Sequence, residues 1–116
     1  MDYRKQVLEY LRLIPKGKVV TYGQIAEHLG NKGLSRAVGN ILHTNDDPDY
    51  YPCFRVVNSQ GWLAEHFGTP DGILDQKRRM EEDGIRVMTR LKKSGGETFF
   101  SYKVDLEKYQ WKGLPY

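Results

Sequence analysis

The stretch Thr21–Thr44, TYGQIAEHLGNKGLSRAVGNILHT, decides how this chain folds. Thr21 followed three residues later by Gln24 is the pattern of a capping box, in which the threonine oxygen and the glutamine side chain satisfy backbone donors at a helix start. The helix it opens runs through Ile25, Ala26 and Leu29 and ends at Gly30. Asn31-Lys32-Gly33 reads as a glycine-containing turn, and LSRAVGNILHT as a further helix with small residues near its start. A short helix, a glycine turn and a second helix of that kind read as a helix-turn-helix.

Upstream, residues 3–13 place Val7, Leu8 and Leu11 on one helical stripe, and Pro15 and Gly17 stop that helix before the extended Lys18-Val19-Val20. Downstream, a polar loop from Asn45 to Tyr51 precedes Phe54-Arg55-Val56-Val57, whose β-branched residues predict a short strand. Asn58-Ser59-Gln60-Gly61 is a turn that leads into Trp62-Leu63-Ala64. Thr69 and Pro70 supply an N-cap and a first-turn proline for a helix from about 70 to 83, closed by Gly84. The alternation on either side of Ser94-Gly95-Gly96 predicts a hairpin. The expected fold is mainly α with a small β element, and residues 1–116 form one domain with no repeat and no low-complexity segment.

Apolar residues make up 39% of the 116, enough for a real core and against disorder. A single cysteine excludes an internal disulfide and a paired-cysteine zinc site, and fits a reducing cytosol. No apolar run approaches membrane-spanning length, and MDYRKQVLEYL lacks the apolar core of a signal peptide, so a soluble, cytoplasmic protein is expected. The net charge of +3 is compatible with an acidic partner such as DNA without requiring one. Its distribution is uneven: Arg4-Lys5, Lys16/Lys18, Lys77-Arg78-Arg79 and Lys92-Lys93 are basic clusters, whereas acids gather at Asp46, Asp47 and Asp49.

Several segments taken together resemble one family. IPKGKVVTYGQIAEHLG (14–30), SRAVGNIL (35–42), Asn45 eight residues before Cys53, PCFRVVNSQG (52–61) and EEDGI (81–85) stand in the order seen in the O6-alkylguanine-DNA alkyltransferase domain. The resemblance covers residues 3 to about 88. The later VDLEKYQW (104–111) resembles the tail of bacterial alkyltransferase-like proteins, which bind lesions without repairing them. The resemblance implies a winged helix-turn-helix that binds the minor groove of duplex DNA as a monomer, without cofactor or metal, and flips an alkylated guanine into a pocket. It also implies contact with other DNA repair proteins.

Residue by residue, the resemblance makes Arg36 the finger that fills the gap left by the flipped base. Ser35, Ala37 and Gly39 are small enough to let the helix backbone approach DNA. Tyr22 matches the tyrosine that turns the nucleotide by crowding its phosphate, and Gly23 and Gln24 are candidate phosphate donors. Asn45 matches the hinge between the recognition helix and the active-site turn. The pocket would be lined by Tyr22, Cys53, Val56, Trp62 and the loop His66-Phe67-Gly68.

Cys53 matches the residue that accepts the alkyl group, but its surroundings depart from the repairing pattern. The family's histidine position is Phe54, which moves no proton, and its glutamate position is Asp83. An unassisted thiol is thiolate to only about a few per cent near neutral pH, and losing a positioned base forfeits roughly 10²–10⁴ in rate. His43 and His66 are the candidate substitutes for the missing base, whereas His28, on the first helix of the pair, is expected to be exposed. Three functions stay open at this point: lesion recognition with weak or absent transfer, a suicide methyltransferase using Cys53, and a helix-turn-helix transcription regulator. Against the regulator, the second helix starts with small residues and one arginine rather than several polar side chains for base-edge readout.

Overall fold

A computed structural model describes residues 3–64 and 72–113. Helix α1 (Arg4–Leu11) turns Val7, Leu8, Tyr10 and Leu11 into the core, and Gln6 and Glu9 point to solvent. It is shorter than the predicted 3–13, yet Ile14 beyond it is still buried. The chain then reverses at Gly17, whose φ of +86° suits glycine.

Strand β1 (Val20–Thr21) leads directly into helix α2 (Tyr22–His28), with Thr21 extended as its N-cap. Both halves of the predicted capping box are present: Gln24 N donates to Thr21 Oγ1 at 3.1 Å and Thr21 N to Gln24 Oε1 at 2.9 Å. Gly30 (φ +95°) ends the helix region, and Asn31 Oδ1 accepts from Gly33 N at 2.8 Å to set the turn. One 3₁₀ turn, Lys32–Leu34, runs straight into α3 (Ser35–His43). Val38 and Leu42 of α3 pack inward, whereas Arg36, Asn40 and His43 are exposed.

The segment read as the strand Phe54–Val57 is only half a strand. Cys53–Arg55 is a 3₁₀ turn, and β2 is confined to Val56–Val57, paired parallel with β1 in the register Val20↔Val56 and Thr21↔Val57. The reason is local: Pro52 (ψ 70°) starts a turn in which Arg55 N donates to Pro52 O, so Phe54 has no strand neighbour. Helix α4 is Ile73–Glu82, with Gly72 as its N-cap at φ +56°. It begins later than the predicted 70, and Thr69 and Pro70 lie outside the described residues. Gly84 (φ +86°) closes it as expected.

The predicted hairpin is β3 (Met88–Ser94) and β4 (Glu97–Lys103), antiparallel, with Ser94 opposite Glu97 and Gly95-Gly96 at positive φ in the two-residue turn. Its base is tied to the turn at Asn58–Gly61 by Leu63 N→Tyr102 O and Val104 N→Gly61 O. Gly61 is obligatory: a side-chain carbon there would strike the Val104 carbonyl. A last turn of helix, α5 (Leu106–Tyr109), delivers residues 109–111 alongside Val19, with Val19 N→Tyr109 O at 2.9 Å and Trp111 N→Val19 O at 2.8 Å. The result is a helical domain with two small sheets around one core that includes Val7, Leu11, Val19, Val20, Ile25, Val38, Val57 and Met80.

Gln76 is the core's main polar junction. Fully buried on α4, it donates through Nε2 to the carbonyls of Phe54 and Val56, both at 3.1 Å, and accepts from Ala64 N at 2.8 Å. Gln76→Leu strands a buried donor and two acceptors at once. It should lower unfolding free energy by about 2–4 kcal/mol, read by urea denaturation; a change within 0.5 kcal/mol would contradict this assignment.

Candidate nucleic-acid interface

The outer side of α3 is built for close approach. Gly39 has nothing within 4 Å of where a side chain would start, Ser35 and Ala37 are half-buried, and Ser35 Oγ is turned back onto the Lys32 carbonyl at 3.0 Å. Arg36 is exposed and has no hydrogen-bond or ion-pair partner among the described residues. A guanidinium held clear of its own protein is available to an external acceptor or a vacated space.

Asn45 connects this helix to the cysteine turn. Its backbone N–H closes α3 on Leu42 O, its Nδ2 donates to Tyr51 O at 2.9 Å, and its Oδ1 accepts from Asp47 N. Tyr51 O also accepts from Cys53 N at 2.7 Å, so one carbonyl ties the asparagine to the cysteine backbone.

Cys53 is buried, 8% exposed. Burial pushes its thiol above the ordinary value; the Asn45 hydrogen bond, the cysteine's own backbone N–H and the Arg79 guanidinium pull the other way, and the Asp75 carboxylate adds to the rise. Tyr22, half-buried at the first position of α2, is likewise pushed up, by burial and then by the cysteine. The structure therefore brings Tyr22, Asn45 and Cys53 together. Asp75 and Arg79 of α4 join them; Asp75 was not singled out from the sequence, and Arg79 only as part of the Lys77-Arg78-Arg79 cluster. Asp75 is 6% exposed and bonded to Arg78 and Arg79, and Arg79 also reaches Asp49 at 2.9 Å.

The proton-relay positions lie elsewhere. Phe54 is buried in the core with the Arg55 guanidinium 5.1 Å from its ring centre. Asp83 accepts from Arg55 Nε at 2.7 Å and Nη2 at 3.1 Å, and from Gly17 N at 3.2 Å, while Arg55 Nη1 donates to Ile14 O. This carboxylate is a structural clamp and does not serve the thiol. His28 and His43 are exposed, and His66 lies outside the described residues.

Of the expected pocket walls, Val56 is a 1% exposed strand residue whose carbonyl is taken by Gln76. Trp62 is buried beneath the hairpin, with Lys92 and Lys103 ammonium groups 5.4 and 5.0 Å from its ring centre. Phe67 lies outside the described residues. The Gln24 backbone N–H serves the cap and its Nε2 donates to Trp111 O at 2.7 Å, so those donors face inward rather than toward a phosphate. Among the described residues no group of three histidine, cysteine, aspartate or glutamate side chains could hold a metal ion, and no helix is long and apolar enough to cross a membrane.

A titration follows from this thiol. Because its folded value is raised, the rate of iodoacetamide labelling of Cys53 should keep climbing with pH past the range where a free thiol levels off. The thiol also ionises earlier in the unfolded chain, so its contribution to stability is complete below the unfolded value and is lost as pH rises through the folded one. Cys53→Ala should accordingly lose less stability than wild type on going to alkaline pH. A labelling rate that saturates near neutrality would contradict the assignment.

Comparison with known proteins places this arrangement. The family described as "6-O-methylguanine DNA methyltransferase, DNA binding domain" matches residues 2–85. The chain belongs to that family. Alkyltransferase-like protein 1 of Schizosaccharomyces pombe is 33% identical over 111 residues, covering 96% of this chain and 95% of its own. A DNA base-flipping protein of Vibrio parahaemolyticus is 36% identical over 106 residues, covering 91% and 92%. Among solved structures, S. pombe alkyltransferase-like protein 1 in complex with damaged DNA containing O6-carboxymethylguanine superimposes with a TM-score of 0.76 at 31% identity, over 96% of this chain and 95% of that one. Other family members are larger: the chain spans 28% of a bifunctional methyltransferase/endonuclease of Thermoplasma volcanium and 48% of the Shigella flexneri methylated-DNA–protein-cysteine methyltransferase. Residues 86–113 lie beyond the family match, and a similarity covering 96% of the chain extends into them.

Proposed function

We propose that this chain recognises O6-alkylguanine in duplex DNA as a winged helix-turn-helix protein, 1–116 acting as one unit, with alkyl transfer to Cys53 slow or absent. In this reading α2 and α3 are the helical pair and α3 enters the minor groove, where Ser35, Ala37 and Gly39 permit close approach. Arg36 fills the space of the extruded base, and Tyr22 beside Gly23 turns the nucleotide toward Cys53. Asn45 keeps the reading helix and the cysteine turn in register. The protein works as a monomer in the cytosol without a cofactor, and a lesion left unrepaired calls for other repair proteins.

The observation that carries the reading is the state of Cys53. It is a buried thiol that burial pushes toward its protonated form, whose flanking Phe54 is inert and whose distant relay carboxylate is locked onto Arg55. Asp75, the carboxylate that it senses, is tied to two arginines. Such a thiol can line a pocket for an apolar adduct but has little nucleophile to offer. The nearly full-length similarity to a protein crystallised on O6-carboxymethylguanine DNA supports this class of lesion.

The test is a pair of titrations, with identical duplexes carrying O6-methylguanine or guanine, repeated with Cys53→Ala. The expected result is tighter binding of the lesion duplex by both proteins, weakening as salt is raised. Equal affinity for the two duplexes would refute the reading, and selective binding of one undamaged sequence would favour a regulator. A suicide transferase is the second reading, favoured by the Asn45 side chain, which pulls the thiol down against the effect of burial.

A further inference from the structure

Gln24 carries more than its half of the capping box. Its Oε1 accepts from Thr21 N at 2.9 Å and also from Gln110 Nε2 at 2.9 Å, while its Nε2 donates to the Trp111 carbonyl at 2.7 Å. Both extra partners belong to the C-terminal segment, which is itself pinned to Val19 on either side of Gln110 and, through the Tyr109 hydroxyl, to Arg86 N at 3.1 Å. At the far end of α2, the Trp111 ring stands 6.0 Å from Tyr10, and Tyr10 stands 4.7 Å from His28.

A capping box stabilises a helix wherever that helix lies. The added bonds do something else: they fix the start of α2 in space relative to β1 and the core. Tyr22, two residues before Gln24 and close to Cys53, takes its place from that start. We propose that residues 105–113 are a positioning strap for lesion recognition. Gln110 and Trp111 hold Gln24, and through it Tyr22, in the orientation that turns a nucleotide toward Cys53. Gln110 is a positioning residue in this scheme, acting on DNA only through α2. The inference rests on the function proposed above.

Gln110→Ala removes one of the two strap bonds to Gln24 and leaves the Trp111 carbonyl in place. Gln110→Lys restores a donor opposite Gln24 Oε1. For each protein, the dissociation constants of the O6-methylguanine and guanine duplexes are measured well below the thermal midpoint, which is recorded alongside. The expected result is a lesion preference reduced about threefold to tenfold in Gln110→Ala, the scale of one hydrogen bond, with undamaged-DNA affinity unchanged and preference recovered in Gln110→Lys. A strap that only stabilises the fold would lower the midpoint and leave the preference intact, which would overturn the proposal. If wild type itself shows no preference, the proposed function fails and the strap's role with it. If wild type discriminates and Gln110→Ala discriminates equally well, only the strap is overturned.

Discussion

Asp83→Ala should lower the unfolding free energy by about 3–5 kcal/mol, the scale of breaking a buried ion pair by removing one partner. The Asp83 and Arg55 side chains are 8% and 16% exposed, and their two short bonds leave little room for water. Without the carboxylate, a mostly buried guanidinium keeps only the Ile14 carbonyl, and Gly17 N loses its acceptor. Against a total stability of roughly 5–15 kcal/mol for a domain of this size, that loss should move the thermal midpoint by well over 10 °C. Asp83→Asn, which keeps an acceptor, should cost less. The double replacement Arg55→Met with Asp83→Leu should cost less than Asp83→Ala alone, because it leaves no charge stranded. Calorimetry on the four proteins checks this; an Asp83→Ala midpoint within about 2 °C of wild type would show the clamp to be unimportant.

Arg36→Ala should have the opposite profile, leaving stability within about 0.5 kcal/mol and weakening lesion binding roughly tenfold to a hundredfold. The side chain is exposed and unpartnered among the described residues, so its removal breaks nothing inside the protein. In the proposed role its work would fall on the DNA side, where an extruded nucleotide leaves an unstacked gap that costs about a few kcal/mol unless a side chain fills it. Undamaged duplex, bound without extrusion, should lose less. Arg36→Lys should recover only part of the loss, since an ammonium lacks the planar face that stacks in the gap. Retention of full lesion preference by Arg36→Ala, in the same paired titrations, would remove the finger assignment.

What the sequence disclosed was mostly local. The Thr21–Gln24 box and the Gly30–Gly33 turn act over a few residues, and both came out as read. So did the hairpin at Gly95-Gly96, where only glycine sits comfortably at two consecutive positive φ values. What it hid was long-range. Val56 and Val57 looked like the end of a longer strand because β-branched residues favour extended backbone, but only two residues have a partner, across 36 positions, on β1. Gln76 sits among charged residues and gave no sign of being buried. Asp83 has the right chemistry for a relay, and only the fold reveals that Arg55, 28 residues away, has claimed it. The bond from Gln110 to Gln24 spans 86 residues and had no local signature at all.

For the site itself, Tyr22, Arg36, Asn45 and Cys53 were named from segment order, and the fold sets Tyr22 and Asn45 near the Cys53 thiol and leaves Arg36 on the outer face of α3. Asp75 and Arg79 were missed because an acidic and a basic residue four apart on a helix read as a solvated surface pair. Their burial beside the cysteine is a tertiary property.

In the proposed function, recognition is separated from transfer at Cys53. Its most direct test is the intact mass of the protein recovered from a saturated complex with O6-methylguanine duplex, beside a Cys53→Ala control. The mass should stay unchanged at neutral pH over many times the binding half-life. Rapid gain of one methyl group by wild type alone would contradict that separation and make Cys53 a working nucleophile.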